Sequence, residues 1–235
     1  MLVLIQEARR HMTPTDAGAS QQPVLLVPSV AHPTLGSALA TLAASSASAT
    51  IRLAAGVYRE GTLHLSQGVS LVGAGIDTLL ESEGTALVCD GAALVSDISV
   101  RQVGGDASGA AYGIEVRSGT LLVERCHITA SCGAKLAAAV LARGAAVKLR
   151  LRECQLHDCG GAGLLLASKA SAEVRQTEVR DCRGCGAVAL VGTELRLLDC
   201  QLRACGDGAL VVGGRVSAER CAVDGCGGAA AVAVR

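Results

Sequence analysis

The chain has 235 residues, half of them apolar, and its 21 basic residues balance its 21 acidic ones. A net charge of zero removes the main electrostatic reason to expect nucleic acid or an anionic membrane as a partner. With aromatic residues at only 1%, the core must consist of thin aliphatic layers.

The start of the chain has no secretory or membrane-spanning pattern. Its apolar residues stop before Gln6 and Glu7, which is too short for the core of a signal peptide. The longest later stretch, Ala134 to Ala142, is interrupted by Lys135 and falls short of the roughly 18 residues that indicate a span. We predict a cytoplasmic protein, with organellar import left open, and interpret residues 1–32 as an N-terminal extension.

Residues 33–42 show helical spacing. Leu35, Leu39 and Leu42 recur at the interval that one face of a helix requires. We predict a short helix that caps the following structure, and we treat residues 33–235 as a single domain that includes this cap.

An internal repeat organises the rest of the chain. Five segments share the pattern h-x-x-C-x-h, where h is aliphatic, and their central residues are Cys126, Cys154, Thr177, Cys200 and Cys221, with steps of 28, 23, 23 and 21 residues. A second series moves in parallel with steps of 27, 23, 23 and 21, at Cys132, Cys159, Cys182, Cys205 and Cys226. Two parallel series define a structural repeat.

Each repeat contains three short strands separated by glycine-containing turns, without helical periodicity. A repeat of about 22 residues with this content predicts an all-β fold, a right-handed parallel β-helix solenoid of about seven or eight coils. Equivalent residues of successive coils would stack about 4.8 Å apart. The longer steps predict insertions near Val103 to Tyr112 and near Lys135 to Val147.

Two segments upstream of the repeat carry a family likeness. Residues 51–58 read I-R-L-A-A-G-V-Y, and residues 68–75 read G-V-S-L-V-G-A-G. With the helix before them, they resemble the opening of the carbohydrate-binding and sugar-hydrolase β-helix family, which includes pectate-lyase-like enzymes and the β-helix regions of F-box substrate adaptors. The cysteine rungs look most like those of the adaptors, although no segment resembles an F-box. The resemblance implies the fold and leaves the activity open.

The cysteine series favour packing over chemistry. Inward cysteines behave as small hydrophobic residues, and the lack of a secretory signal indicates reduced thiols. Cys182 and Cys185 have the spacing of a zinc knuckle. However, stacked cysteines, which we call a ladder, place their sulfur atoms in a row along the solenoid axis, whereas a zinc site needs two converging pairs. We predict no metal site and no cofactor.

The best candidate for a catalytic site lies at a turn of the repeat. His157 and Asp158 occupy it, with Arg180 and Asp181 one coil later and Arg203 one coil further. Two carboxylates about 4.8 Å apart could hold a divalent cation and place a base near an acidic sugar. Turns also attract Asp for purely structural reasons.

A mixed-charge column precedes the first cysteine series. It consists of Arg125, Glu153, Gln176, Asp199 and Arg220. We interpret it as a solvated face on which neighbours one coil apart can form ion pairs of low energy.

These patterns favour a noncatalytic β-helix scaffold or protein-interaction subunit. The alternative is a carbohydrate-active enzyme, a polysaccharide lyase or uronate epimerase, that acts on an acidic polysaccharide through the candidate site. Residues 229–235 read as a strand of a new coil, and an unpaired strand edge invites pairing. We therefore expect a protein partner, a second copy of the chain or further residues to cover the C-terminal edge from about Arg215 onward.

Overall fold

The computed structural model describes residues 22–45, 47–104, 111–131, 137–228 and 231–233. Within these ranges, short strands assemble into three parallel sheets, A, B and C, that run along the faces of a solenoid. Each coil contributes one strand to each sheet in turn. The predicted right-handed parallel β-helix of about seven or eight coils is confirmed, and the structure has about eight.

The strands are numbered in chain order. Sheet A contains β1 (Val24–Val27), β2 (Ala49–Leu53), β5 (Val69–Val72), β8 (Ala93–Ser96), β11 (Thr120–Glu124), β14 (Lys148–Arg152), β17 (Ser171–Arg175), β20 (Glu194–Leu198) and β23 (Arg215–Glu219). Sheet B contains β3 (Gly56–Arg59), β6 (Thr78–Ser82), β9 (Ser99–Gln102), β12 (His127–Ala130), β15 (Gln155–His157), β18 (Glu178–Arg180), β21 (Gln201–Arg203) and β24 (Ala222–Asp224). Sheet C contains β4 (Leu63–Leu65), β7 (Leu87–Asp90), β10 (Tyr112–Ser118), β13 (Ala138–Arg143), β16 (Ala162–Ala167), β19 (Cys185–Ala189), β22 (Gly208–Val212) and β25 (Ala231–Ala233).

The register of the sheets turns the sequence repeat into columns of stacked residues. In sheet A, Leu149 pairs with Ala172, which pairs with Leu195, and all three are buried. Alternate strand residues face opposite sides of a sheet, so the inward columns of the three sheets meet in one continuous aliphatic core.

The predicted helix is present as α1 (Leu35–Ser45). It buries Leu35, Leu39 and Leu42 against the first coil, as their spacing requires. The Glu60 carboxylate accepts hydrogen bonds of 2.7 Å from the backbone N–H groups of Leu35 and Gly36. A carboxylate at this position satisfies donors that the helix itself leaves unpaired.

Sheet A extends into the segment that the sequence analysis assigns to an N-terminal extension. Val24–Val27 forms β1 and pairs in parallel with β2. The Tyr58 hydroxyl donates to the carbonyl oxygens of Val27 at 3.1 Å and Ala54 at 2.9 Å, which ties β1 to the first coil. The solenoid therefore begins upstream of residue 33.

The predicted insertions fall partly on residues 105–110 and 132–136, which lie outside the described residues, as does Cys132. In the part of the chain that the structure describes, no helix is long and apolar enough to cross a membrane.

Candidate functional site

The candidate site lies on the outward face of sheet B. His157 is the register partner of Arg180, and Arg180 is the register partner of Arg203, so the three form one column along the solenoid. Leu156 and Val179, which alternate with them, are buried in the core. The structure thus places the column on the side of the sheet away from the core.

Asp158 and Asp181 sit at the turn that follows this column. Both adopt the left-handed backbone region, with φ of 52° and 54°. The same turn holds Ala204 and Gly225 in the next two coils, also at positive φ. Because a β-carbon makes this conformation costly for most residues and Asp tolerates it better, the backbone alone favours Asp at these positions.

Both aspartates are engaged within their own coil. Asp158 Oδ2 lies 2.7 Å from His157 Nδ1, and Asp181 Oδ2 accepts a hydrogen bond of 2.6 Å from Arg180 Nη1. The spacing of the repeat predicts a carboxylate pair shared between coils. The two aspartates instead make separate contacts, each within one coil.

Glu178 belongs to the site and was missed by sequence reasoning. One of its carboxylate oxygens lies 3.7 Å from Arg180, and the other lies 3.7 Å from Arg203. The available signal was the alternation around buried Val179, which places Glu178 and Arg180 on the same outward face. Glu178 therefore links two guanidinium groups of adjacent coils.

His127 extends the site towards the preceding coil. Its ring meets that of His157 edge to face, with centroids 6.1 Å apart and an interplanar angle of 89°. Partial burial lowers the pKa of His127, and electrostatic interactions with His157 and Arg180 lower it further. These effects favour the neutral imidazole at His127.

The described residues contain no group of three or more His, Cys, Asp or Glu side chains that could hold a metal ion. Cys182 faces the core, whereas Cys185 begins β19 and is partly exposed. The two thiols of the zinc-knuckle spacing therefore differ in their surroundings.

The two cysteine series line the interior of the solenoid. The buried members are Cys126, Cys154 and Cys200 in the first series and Cys159, Cys182 and Cys205 in the second. Cys221 and Cys226 of the last coil are partly exposed. Every cysteine of the described ranges is a free thiol.

The ladder thiols also close the turns. The Cys154 thiol donates to the carbonyl oxygen of Arg152 at 3.2 Å, and the Cys205 thiol donates to that of Arg203 at 3.3 Å. Thr177, which replaces cysteine in the first series, donates from its hydroxyl to Arg175 in the same way at 2.9 Å. This position of the turn thus requires a small side chain that carries one hydrogen-bond donor.

Burial makes these thiols poor nucleophiles. It raises the pKa of Cys126 to about 12 and that of Cys154 to about 11. Contacts with neighbouring thiols of their series raise the pKa values of Cys182 and Cys205 as well. Because the thiolate is the reactive form of cysteine, the ladders serve packing and turn closure.

Glu115 on sheet C is a buried carboxylate that sequence reasoning also missed. It is 3% exposed, and its oxygens lie 2.8 Å from Arg117 and 2.6 Å from Arg143. Two guanidinium groups offset the cost of burying its charge. It lies on a different sheet from the candidate site.

Two shallow cavities lie away from the column of His157. One, of about 260 Å³, follows the outward face of sheet A and is lined by charged residues that include Lys148, Arg150 and Glu173. The other, of about 570 Å³, lies beside Glu60 and Glu81. Neither is lined by the residues of the candidate site.

Comparison with known proteins identifies the fold. A family model described as "Right handed beta helix region" matches residues 85–234. No curated protein sequence matches the chain. A pectin methylesterase from Aspergillus niger has 12% identity and a TM-score of 0.51, over 93% of this chain and 88% of that one. A mutant pectin methylesterase in complex with a hexasaccharide has 11% identity and a TM-score of 0.50, over 84% of this chain and 81% of that one. At these identities the likeness shows the fold alone.

Proposed function

The chain belongs to the right-handed β-helix family, and from that premise we propose that it is a noncatalytic scaffold whose rigid faces bind a protein partner. The observation that carries this proposal is the pairing of the site's acids. Asp158 contacts His157, and Asp181 contacts Arg180, each within hydrogen-bond distance. Each carboxylate is thus already engaged by a side chain of its own coil. Neither aspartate is therefore well placed to abstract a proton from a sugar.

The charge of the site supports the same proposal. The site carries three carboxylates, at Asp158, Glu178 and Asp181, beside the guanidinium groups of Arg180 and Arg203. An acidic polysaccharide would meet a carboxylate next to each guanidinium group. A folded protein with its own mixed charges can match such a surface by complementarity.

The partner expected at the C-terminal edge is part of this proposal. The inward positions of β23 and β24 are accessible, whereas the inward positions of the preceding strands β20 and β21 are buried. The free thiols favour a reducing, cytoplasmic compartment for the complex.

The experiment compares the chain with an Asp158→Ala/Asp181→Ala variant. If the site is a polar turn, neither protein turns over pectin or alginate, and the free energy of unfolding changes by less than about 1 kcal/mol. Asp77→Ala, at an exposed aspartate elsewhere, is the matched control. Turnover of a uronate polymer that the double variant abolishes and the control retains would overturn the noncatalytic proposal.

A carbohydrate-active enzyme, either a polysaccharide lyase or a uronate epimerase, is the second candidate. The contact of 2.7 Å between His157 Nδ1 and Asp158 Oδ2 favours it, because an aspartate can orient an imidazole for proton transfer. In this reading His157 is the base, and Arg180 and Arg203 contact the sugar carboxylate. His157→Gln should then abolish turnover, whereas His64→Gln on sheet C should leave it unchanged.

A further inference from the structure

The last described coil leaves inward-facing residues accessible. Val223 on β24 is 43% exposed, whereas its register partner Leu202 is 1% exposed. Val216 and Ala218 on β23 are also accessible, although their register partners on β20 are buried. We propose that this edge pairs with the same edge of a second copy of the chain, in a two-fold symmetric dimer that goes beyond the proposed function.

Among the described residues, no strand pairs with the open side of β23, so its backbone offers a hydrogen-bonding edge. The Arg215 N–H donates to the Thr193 carbonyl at 2.8 Å, so Arg215 directs its backbone groups towards the preceding coil. Because backbone groups alternate in direction along a strand, Ser217 also directs its N–H and C=O groups towards the preceding coil. Val216 and Ala218 direct their N–H and C=O groups to the open side. These two residues can pair with another strand without loss of any bond inside the solenoid.

The opposite end of the solenoid favours a two-fold arrangement over head-to-tail stacking. There, α1 packs on the first coil and buries Leu35 and Leu39. A second copy would therefore meet this helix, and not an open core, at that end. Contact through the same edge of both copies gives a closed dimer, whereas head-to-tail contact would give an open filament.

The sequence of β23 is self-complementary for antiparallel pairing. A two-fold axis at Ser217 places Arg215 opposite the partner's Glu219 on the outward face, twice in the dimer. The same axis places inward-facing Val216 opposite the partner's Ala218, a larger residue against a smaller one. Opposite charges directly across two strands stabilise a sheet, and like charges destabilise it.

Other registers are worse. An axis at Arg215 or at Glu219 sets two like charges against each other. A two-fold axis midway between two residues pairs a residue whose N–H and C=O groups point to the partner strand with a residue whose groups point away from it. Such pairs cannot form the hydrogen bonds of an antiparallel sheet. An axis at Val216 or Ala218 leaves both charges without an opposite partner. The two-fold axis at Ser217 gives the register of β23 that combines opposite-charge pairs with complete backbone hydrogen bonding.

The other two sheets tolerate the same axis. Reversal of the chain direction places β24 of one copy opposite β25 of the other. Within these strands, Asp224 is the sole charged residue, and β25 has the sequence A-V-A. No like charges therefore meet outside sheet A in these strands.

The test is the solution mass of the 235-residue chain by size-exclusion chromatography with light scattering at tens of micromolar. We expect twice the chain mass of 23.5 kDa. Arg215→Glu or Glu219→Arg alone should weaken association at least tenfold, because each sets like charges opposite each other. The double variant Arg215→Glu/Glu219→Arg should restore the dimer.

Arg52→Glu is the matched control, since it makes the same charge change at an exposed position of sheet A on β2, at the opposite end of the sheet from β23. Circular dichroism and thermal melting establish that each variant is folded. A monomeric wild-type chain, whether its edge is open or held by a different protein, overturns the proposal. A double variant that is folded but stays monomeric overturns the register. Either failure leaves the noncatalytic proposal standing.

Discussion

Arg125 binds Asp97 across one coil through two hydrogen bonds of 2.7 Å, although both residues lie in the left-handed backbone region. The same turn carries a second bidentate pair, Arg220 with Asp199. Charged residues thus occupy the sharp turn between sheets A and B. Their side chains connect successive coils on the outside, while the cysteines that follow them pack inside.

The first prediction concerns this ion pair and pH. Hydrogen bonding from Arg125 holds the pKa of Asp97 below its ordinary value. A depressed folded pKa stabilises the protein above the unfolded value of about 3.9, and this contribution is lost as pH falls through the folded pKa. In Arg125→Gln, NMR titration should show the Asp97 pKa rising towards its ordinary value.

Arg220→Gln is the internal control for this titration. Hydrogen bonding from Arg220 lowers the pKa of Asp199 in the same way. The variant should therefore raise the pKa of Asp199 and leave that of Asp97 unchanged. An Asp97 titration that does not respond to Arg125→Gln contradicts the assignment.

The second prediction concerns backbone strain at Ala204. Its φ of 48° lies in the left-handed region, and its side chain has no polar group to compensate. Ala204→Gly should stabilise the protein by about 1 kcal/mol, since glycine adopts this conformation without the steric cost of a β-carbon. Urea denaturation measures the change.

The same substitution at Ala40, exposed in α1, should have the opposite sign and cost about 1 kcal/mol. If both substitutions destabilise the chain equally, Ala204 is not strained.

The third prediction concerns the donor at Thr177. Its buried hydroxyl donates to the Arg175 carbonyl, as thiols do at the equivalent turns. Thr177→Cys should therefore be nearly neutral. Thr177→Val keeps the shape but removes the donor and should cost about 1 kcal/mol. Thermal denaturation distinguishes them, and a valine variant as stable as the cysteine variant would refute the turn-closing role.

The fourth prediction concerns stability at alkaline pH. Burial raises the pKa values of Cys126 and Cys154 to about 12 and about 11 from 9.0. Because the thiol pKa values are higher in the folded state, the thiols of the unfolded chain lose their protons at lower pH. Their contribution to the free energy of unfolding is therefore complete below pH 9 and is lost as pH rises towards 11–12. The slope should approach roughly 1.4 kcal/mol per pH unit for each thiol.

Cys126→Ala/Cys154→Ala should have a flatter profile between pH 9 and 11, even though its stability at neutral pH is lower. Val123→Ala, which removes buried apolar volume but no thiol, should lower the stability at neutral pH and keep the wild-type slope. Equal slopes in the wild-type and double-variant proteins would show that other groups govern the alkaline transition.

The fifth prediction concerns thiol accessibility. Ellman titration of the native chain should find few reactive groups, with Cys185, Cys221 and Cys226 the first to react, because they are partly exposed. Denaturation without reductant should release all eleven thiols of the sequence. Stoichiometric zinc, or thiols missing after denaturation, would contradict the packing interpretation.

The repeat that includes Cys154, Thr177 and Cys200, with its three short strands and glycine-containing turns, predicted the fold from the sequence. A parallel solenoid converts a fixed spacing along the chain into register between strands, so equivalent residues must stack. The same rule placed His157 and Asp158 one coil from Arg180 and Asp181. Repeat and alternation are local properties, and they are readable without coordinates.

The partners of individual side chains depended on the tertiary structure. Arg125 binds Asp97 in the preceding coil and not Glu153 in the next one, and Asp158 turns to His157 in its own coil. The sequence repeat allows a side chain to pair with the coil before it or the coil after it, since both neighbouring coils are one strand spacing away. Rotamers, local burial and the left-handed turn select among them. These energies exist only when the coils are stacked, and so only the folded chain decides whether its acids are free or paired.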